Sequence, residues 1–82
     1  MEDTRVAVIS MIISKEESVE ELNRIMHDYA AYVIGRMGIP YRKRGINIIS
    51  IVIDAPMDAV NALTGALGRL DGVSAKVTYA QS

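Results

Sequence analysis

The architecture of this chain rests on the stretch Ile46-Asn-Ile-Ile-Ser-Ile-Val-Ile53, which is apolar at six of its eight positions. The segment Arg5-Val-Ala-Val-Ile-Ser-Met-Ile-Ile13, inside a strand predicted over residues 4–14, is nearly as continuous. A strand with one face in water alternates apolar and polar side chains, and neither segment does so. Both segments therefore predict central strands of a sheet, with aliphatic side chains on both faces.

A first helix is predicted after the polar residues 14–17. Ser18 and Glu21 stand at the spacing of a capping box, in which each side chain accepts a hydrogen bond from the other residue's free backbone N–H. The helix is expected to end near residue 30 or 31. Apolar residues at spacings of three and four mark its buried side: Val19, Leu22, Ile25, Met26, Tyr29 and Ala30.

A second helix is predicted from Pro56, because proline is favoured at the first helical position. Gly65 and Gly68 weaken this helix and are predicted to let it lie close to the sheet. The residues predicted to form its buried side are Met57, Val60, Leu63, Leu67 and Leu70.

Two outer strands complete the predicted set. Residues 32–37 could continue the first helix, but Tyr, Val and Ile favour strands and Gly35 disfavours a helix interior, so we predict a strand there. Residues 38–45, which include Pro40 and Gly45, are predicted to form a hairpin loop. Residues 73–79 alternate between apolar and polar, which predicts a strand with one face in water.

The predicted order of elements is β-α-β-β-α-β. Right-handed crossovers fold this order into an α+β, ferredoxin-like sandwich, in which a four-stranded antiparallel sheet carries both helices on one face. The predicted strand order is 4-1-3-2. We expect one domain over residues 1–82.

The sheet face opposite the helices is predicted to be apolar. In both central strands, either set of alternating residues contains several large aliphatic side chains. A contiguous apolar patch of that kind marks an interface. We therefore predict a homo-oligomer, a dimer or a tetramer, formed through the open sheet face and the strand edges. A monomer with an apolar surface is the alternative.

The composition limits the class of protein. The chain has 82 residues, 50% of them hydrophobic, and a formal net charge of −1. That hydrophobic share is too high for a disordered chain. Because the chain has no cysteine, it cannot form a disulfide or a thiolate metal site, and we expect a cytoplasmic protein. The polar N-terminus and the short apolar runs predict neither a signal peptide nor a membrane-spanning helix.

The residues that could carry chemistry do not predict an enzyme. His27 is the only histidine, too few for a usual metal site within one chain, so we expect no metal and no cofactor. In an oligomer, His27 could meet its symmetry-related copies. The carboxylates lie at predicted helix starts and turns, and the chain has no nucleophile elbow and no phosphate-binding loop.

A basic cluster interrupts the otherwise balanced charge. No acidic residue lies between Asp28 and Asp54. This asymmetry could bind an anionic ligand, a nucleic acid or an acidic helix of a neighbouring subunit, or it could be a solvated hairpin tip. Base stacking on the sheet is disfavoured, because the chain has no Phe and no Trp. The cluster consists of Arg36, Arg42, Lys43 and Arg44.

Three segments carry a family resemblance: Ile34-Gly35-Arg36-Met37-Gly38-Ile39-Pro40-Tyr41, Gly45-Ile46 and Asp71-Gly72-Val73. With them the chain resembles a family of small proteins named as regulators of the iron-only hydrogenase system. The resemblance implies an ACT-like, ferredoxin-like fold, similar to the C-terminal sensor domain of nickel-responsive transcription regulators, which form tetramers. It further implies a regulatory role in anaerobic bacteria.

The chain departs from the nickel sensors in two respects. Those proteins place several histidines and a cysteine on the second and third strands, where this chain has none. They also carry a separate DNA-binding domain, for which 82 residues leave no room. The resemblance therefore implies fold and assembly, but neither nickel binding nor direct contact with DNA.

These observations favour a single ACT-like regulatory domain without catalysis, which binds a small effector or a protein partner at a subunit interface. Gly35 and Gly38 could belong to this ligand site, or they could equally be bulge or turn glycines. Two other hypotheses remain open, a small enzyme of the dimeric-barrel type and a purely structural interaction protein. The predicted ligand-binding residues are Ser14, Lys15, Gly35, Arg36, Gly38 and Tyr41.

Overall fold

The computed structural model describes residues 3–81 and confirms the predicted order of elements. Two single-turn 3₁₀ helices, Ala30–Tyr32 and Arg42–Arg44, flank the second strand. The main elements are β1 (Arg5–Ile13), α1 (Glu17–Asp28), β2 (Val33–Tyr41), β3 (Ile46–Ala55), α2 (Met57–Gly68) and β4 (Val73–Tyr79).

The four strands form one antiparallel sheet in the order β2-β3-β1-β4, which is the predicted order. Ile9 lies at its centre, opposite Ile51 on β3 and Val77 on β4. Because side chains alternate along a strand, this register assigns every second residue of β1, β3 and β4, and of β2 from Gly35 onwards, to the helix side of the sheet. The fold is the predicted α+β, ferredoxin-like sandwich.

The core lies between the sheet and the two helices, all on one side of the sheet. Both central strands contribute alternate residues to it, and α1 and α2 each contribute one apolar stripe. Burial of these side chains supplies most of the favourable free energy of folding. The buried apolar residues are Ala7, Ile9, Met11, Ile13, Leu22, Met26, Ile49, Ile51, Ile53, Ala55, Val60, Leu63 and Leu67.

The start of α1 differs from the prediction. Glu16 occupies the cap position and makes no side-chain cap hydrogen bond, so the capping box of Ser18 and Glu21 is not formed. The Ser18 hydroxyl instead donates to the backbone oxygen of Asp71, at 2.6 Å. The turn after β1 packs against the turn before β4, and this long-range contact takes the hydroxyl away from its own helix.

Gly72 allows these two turns to approach each other. Its φ is 74°, and a Cβ at this position would lie 2.7 Å from Lys15 Cγ and 3.1 Å from the Lys15 backbone nitrogen. The carbonyl of Gly72 accepts the backbone N–H of Ser14 at 2.7 Å. A glycine is required here both by the left-handed backbone and by the lack of space.

Two further boundaries and the predicted role of two glycines differ from the prediction. β2 continues to Tyr41, so the loop shrinks to residues 42–45. Pro56 precedes α2 with an extended ψ of 149°, so it caps the helix and is not its first residue. Among residues 3–81, a Cβ at Gly68 would meet nothing within 4 Å, and one at Gly65 would meet only the Arg69 side chain. Neither glycine therefore brings α2 closer to the sheet.

Candidate functional site

The open face of the sheet carries a row of isoleucines. In the register, Ile39 on β2 is opposite Ile48 on β3, which is opposite Ile12 on β1. Ile39 and Ile12 are 47% and 50% exposed, although they lie on regular strands. The predicted apolar face is therefore present, and it extends across three of the four strands.

The apolar area is larger than this row and lies off centre, towards β2. Met37 and Tyr41 extend it along β2, and both are exposed. On β4 the same face is polar, because Ser74, Lys76 and Thr78 alternate with the half-buried apolar residues of that strand. The resulting surface has an apolar part over β1, β2 and β3 and a polar margin on β4, a distribution typical of interaction surfaces.

A cleft lies on the other side of the molecule, where α1 passes over β2. Arg36 is opposite the buried Ile51 in the register, so it points to the helix side of the sheet. Its Nη2 donates to Asn23 Oδ1 on α1, at 2.6 Å. The cleft has a volume of about 350 Å³ and is lined by Asn23, Met26, His27, Ala30, Val33 and Arg36.

The charge of Arg36 is not neutralised by a partner. Within residues 3–81, the ion pairs are Lys15 with Asp71, at 2.7 Å, and Arg24 with Glu21, and neither involves Arg36. The hydrogen bond from Lys15 to Asp71 raises the pKa of the Lys15 ammonium above its usual value. Lys15 is thus engaged by its own chain, whereas Arg36 contacts a neutral amide.

The structure divides the predicted ligand-binding residues among three places. Ser14 and Lys15 lie beside Gly72 and Asp71, in the contact between the two turns. Gly35 and Arg36 lie in the first half of β2, and Gly35 directly follows a register irregularity that begins at Val33. The residue that this irregularity leaves without a partner on β3 is Ile34, whereas Gly35 pairs with Val52.

The remaining two predicted residues lie further along β2. Tyr41 is opposite Ile46, at the end of the strand and on the open face, so it cannot share a site with Arg36 within one chain. Gly38 is opposite Ile49, and a Cβ there would lie 4.0 Å from the Ile49 side chain. Ligand binding by the six predicted residues stays a prediction.

The sequence prediction missed Asn23, Met26, Ala30 and Val33 in the cleft. A signal was present, because Asn23, His27 and Ala30 follow one another at spacings of four and three along α1 and its C-terminal turn. Residues so spaced lie on one side of a helix. The sequence did not indicate that this side faces β2.

The basic segment Arg42–Arg44 is exposed at the hairpin tip. Arg42 lines a second cleft of about 270 Å³ together with Glu16, Pro40 and Asn47. The Glu16 carboxylate in this lining makes the second cleft less suitable for an anion than the cleft of Arg36.

In the part of the chain that is described, no cluster of three possible metal ligands occurs and no helix could cross a membrane.

A family model matches residues 5–77. Its description reads "TM1266-like: Iron-only hydrogenase system regulator, putative". The chain belongs to this family. No curated protein sequence matches the chain significantly. The match confirms the family that the segment around Gly35 and Arg36 indicated, and it covers all six helices and strands except the last two residues of β4.

Solved structures support the fold of this TM1266-like chain. The uncharacterized protein TM1266 from Thermotoga maritima superposes with a TM-score of 0.91 at 25% sequence identity, covering 95% of this chain and 99% of that one. A formyltetrahydrofolate deformylase from Pseudomonas putida superposes with a TM-score of 0.65 at 13% identity. This second match covers 89% of this chain and 28% of the deformylase, and it shows a common fold only.

Proposed function

We propose that this TM1266-like chain is a non-catalytic regulatory module of the iron-only hydrogenase system. In this proposal it acts in the cytoplasm, assembles with copies of itself and binds a small effector or a protein partner. The observation that carries the proposal is the apolar open face, where Ile12, Ile39 and Met37 are each about half exposed. Exposed aliphatic side chains on the face of a sheet cost free energy unless another surface covers them.

The charges on the open face favour a second copy of the chain as its partner. Among the strand residues of 3–81 that point to this face, Asp54 and Lys76 are charged, and they have opposite sign. Two identical faces can therefore meet without an excess of like charge. Such an isologous pairing is the commonest arrangement in homo-oligomers. A strongly charged partner would find little complementary charge on this surface.

The chemistry near the cleft supports a binding role in preference to catalysis. Arg36, Asn23 and His27 supply one fixed charge and several hydrogen-bonding groups, which suits recognition. No carboxylate lines this cleft together with His27. An acid–base pair of the kind that hydrolases use is therefore not assembled there by the described residues.

Multi-angle light scattering on size-separated protein tests the assembly. The monomer has a mass of 9.0 kDa, and we expect a multiple of this mass at micromolar concentration. Ile12→Lys places a charge in the row of isoleucines and should yield monomers, because a buried unpaired charge is strongly unfavourable. Met57→Lys is the matched control, since Met57 is 42% exposed but begins α2 and lies outside the sheet. It should keep the wild-type mass.

Circular dichroism on the same samples separates loss of assembly from loss of folding. Ile39→Lys, on the edge strand β2, is a second variant with the same expected result and less risk to the central strand. A wild-type protein that remains at 9.0 kDa over the whole concentration range would contradict the proposed assembly. A wild-type mass for both folded strand variants would contradict the proposed surface.

A further inference from the structure

We propose that the cleft between α1 and β2 binds a small organic carboxylate with an apolar tail. The proposal rests on the regulatory function above, since it identifies the chemical class of the effector, and Arg36 is its central residue. Three properties of the cleft support this ligand: an unneutralised and oriented guanidinium, an apolar floor, and a limited number of charges.

The guanidinium of Arg36 is oriented for a ligand. Its Nη2 donates to Asn23 Oδ1 at 2.6 Å, which restricts the rotation of the side chain. An arginine has five N–H donors, so the remaining ones are free for a planar acceptor. Within residues 3–81, no carboxylate lies within 4.0 Å of this guanidinium. A ligand carboxylate can therefore form the two parallel hydrogen bonds that arginine favours.

The floor of the cleft is apolar. Met26 is 4% exposed and belongs to the core, and Val33 is half-buried against it. Ala30 adds a small side chain at the end of α1, which leaves room beside the guanidinium. The volume of about 350 Å³ lies at the lower end of ligand sites, which span about 300–1,000 Å³. A branched alkyl or aryl tail of a few carbon atoms fits this volume.

The number of charges favours a monoanion over a phosphate group. Arg36 is the one arginine or lysine of the lining, and Asn23 and His27 supply further hydrogen-bonding groups. Phosphate sites typically add several cations or the N–H groups of a helix N-terminus. Here the cleft lies at the C-terminal end of α1, which ends at Asp28. The free backbone carbonyl groups of that last turn disfavour a second negative charge on the ligand.

Nuclear magnetic resonance titration with 4-methylpentanoate tests the proposal. We expect saturable shifts of the backbone amides of Met26, Ala30 and Val33. The neutral analogue 4-methylpentanamide has the same tail and should bind about tenfold or more weakly, because a hydrogen bond to a charged group contributes about 1.5–3 kcal/mol. Inorganic phosphate is the third probe and should bind more weakly than the carboxylate.

Arg36→Gln should weaken binding of 4-methylpentanoate by about tenfold or more, for the same reason. Arg36→Lys keeps the charge but loses the planar pair of donors. Its affinity for 4-methylpentanoate should therefore lie between those of the wild type and Arg36→Gln. Arg42→Gln is the matched control, because Arg42 is an exposed arginine outside this cleft. It should leave the affinity for 4-methylpentanoate unchanged.

Equal binding of the carboxylate and the amide would overturn the proposal, and so would an equal loss in Arg36→Gln and Arg42→Gln. If phosphate binds more tightly than 4-methylpentanoate and shifts the same amides, the proposed carboxylate ligand is wrong and the cleft binds another anion. Light scattering on the titrated samples separates this inference from the proposed assembly. An intact oligomer without carboxylate binding contradicts the ligand alone, whereas a wild-type monomer that binds the carboxylate contradicts the assembly alone.

Discussion

At the scale of single residues, Ser18 joins two distant parts of the chain. Its side chain is 7% exposed, and its hydroxyl donates to the backbone oxygen of Asp71, 53 residues further along. A hydrogen bond of this kind contributes about 0.5–1.5 kcal/mol to the free energy of unfolding. This one hydroxyl therefore stabilises the contact between the turn after β1 and the turn before β4.

Ser18→Ala should lower the free energy of unfolding by about 0.5–1.5 kcal/mol, since it removes the hydroxyl that donates to the Asp71 oxygen. Denaturant-induced unfolding measures the change. Ser14→Ala is the matched control, because the Ser14 hydroxyl is exposed and its acceptor, the Gly72 oxygen, already accepts the Ser14 backbone N–H. We expect the control to change the stability by less than about 0.5 kcal/mol. Equal losses in the two variants would contradict this assignment.

The residues of the candidate site could be predicted only in part. Arg36 stood out in the sequence because of the glycines around it and the absence of acidic neighbours. Asn23, its hydrogen-bond partner, could not be inferred, because that contact depends on how α1 crosses β2. The Ser18 hydroxyl was wrongly assigned to a capping box, since a local motif cannot reveal a competing acceptor from a distant turn.

At the scale of elements, β2 illustrates how an edge strand can carry residues that usually end strands. Pro40 has no N–H to donate, but it pairs with Asn47 in the register because β2 has one free edge. The loop predicted from the Gly and Pro residues was wrong for this part of β2, because the strand continues to Tyr41. The central strands were predicted correctly, because their apolar pattern leaves no other arrangement.

α2 offers an element-scale prediction, because Gly65 lies inside this helix. Gly65→Ala should raise the free energy of unfolding by about 0.5–1 kcal/mol, since glycine is that much less favourable than alanine in a helix interior. The new Cβ would lie 3.4 Å from Arg69 Nη1, the end of a flexible side chain that can move away. Thermal unfolding monitored by circular dichroism measures the gain.

Gly45→Ala is the comparison for this helix variant. Gly45 has a φ of 65°, so alanine there is strained although the space is open. Gly45→Ala should lower the free energy of unfolding by about 1–2 kcal/mol. A loss of stability in Gly65→Ala would indicate that α2 needs a glycine at this position for a reason other than helix propensity.

At the scale of the whole molecule, one side of the sheet lacks a second layer. The molecule measures 44 × 21 × 17 Å, and its thin dimension reflects one sheet covered by helices on one face only. A second sheet stacked at the usual distance of about 10 Å would complete the sandwich. The sequence predicted the bare face from composition and pattern, and the polar side of β4 from its alternation; the register adds that this polar side lies on the open face.

If a second copy covers this face, the thermal midpoint should rise with protein concentration, because association stabilises the folded state by mass action. For a dimer of this size we expect about 3–5 °C per tenfold increase in concentration. Differential scanning fluorimetry over two decades of concentration measures this dependence. In Ile12→Lys the midpoint should not vary with concentration, and in Met57→Lys it should vary as in the wild type.

The central position of β1 has a consequence for synthesis of the protein. β1 leaves the ribosome before the other strands described, yet its two neighbours in the sheet are β3, which ends at Ala55, and β4, which ends at Tyr79. The backbone N–H of Ala80 donates to the Val6 oxygen at 2.9 Å, so the earliest strand is completed by nearly the last residue described. One edge of this largely apolar strand therefore remains unpaired until β4 has emerged, during which time chaperones have access to it.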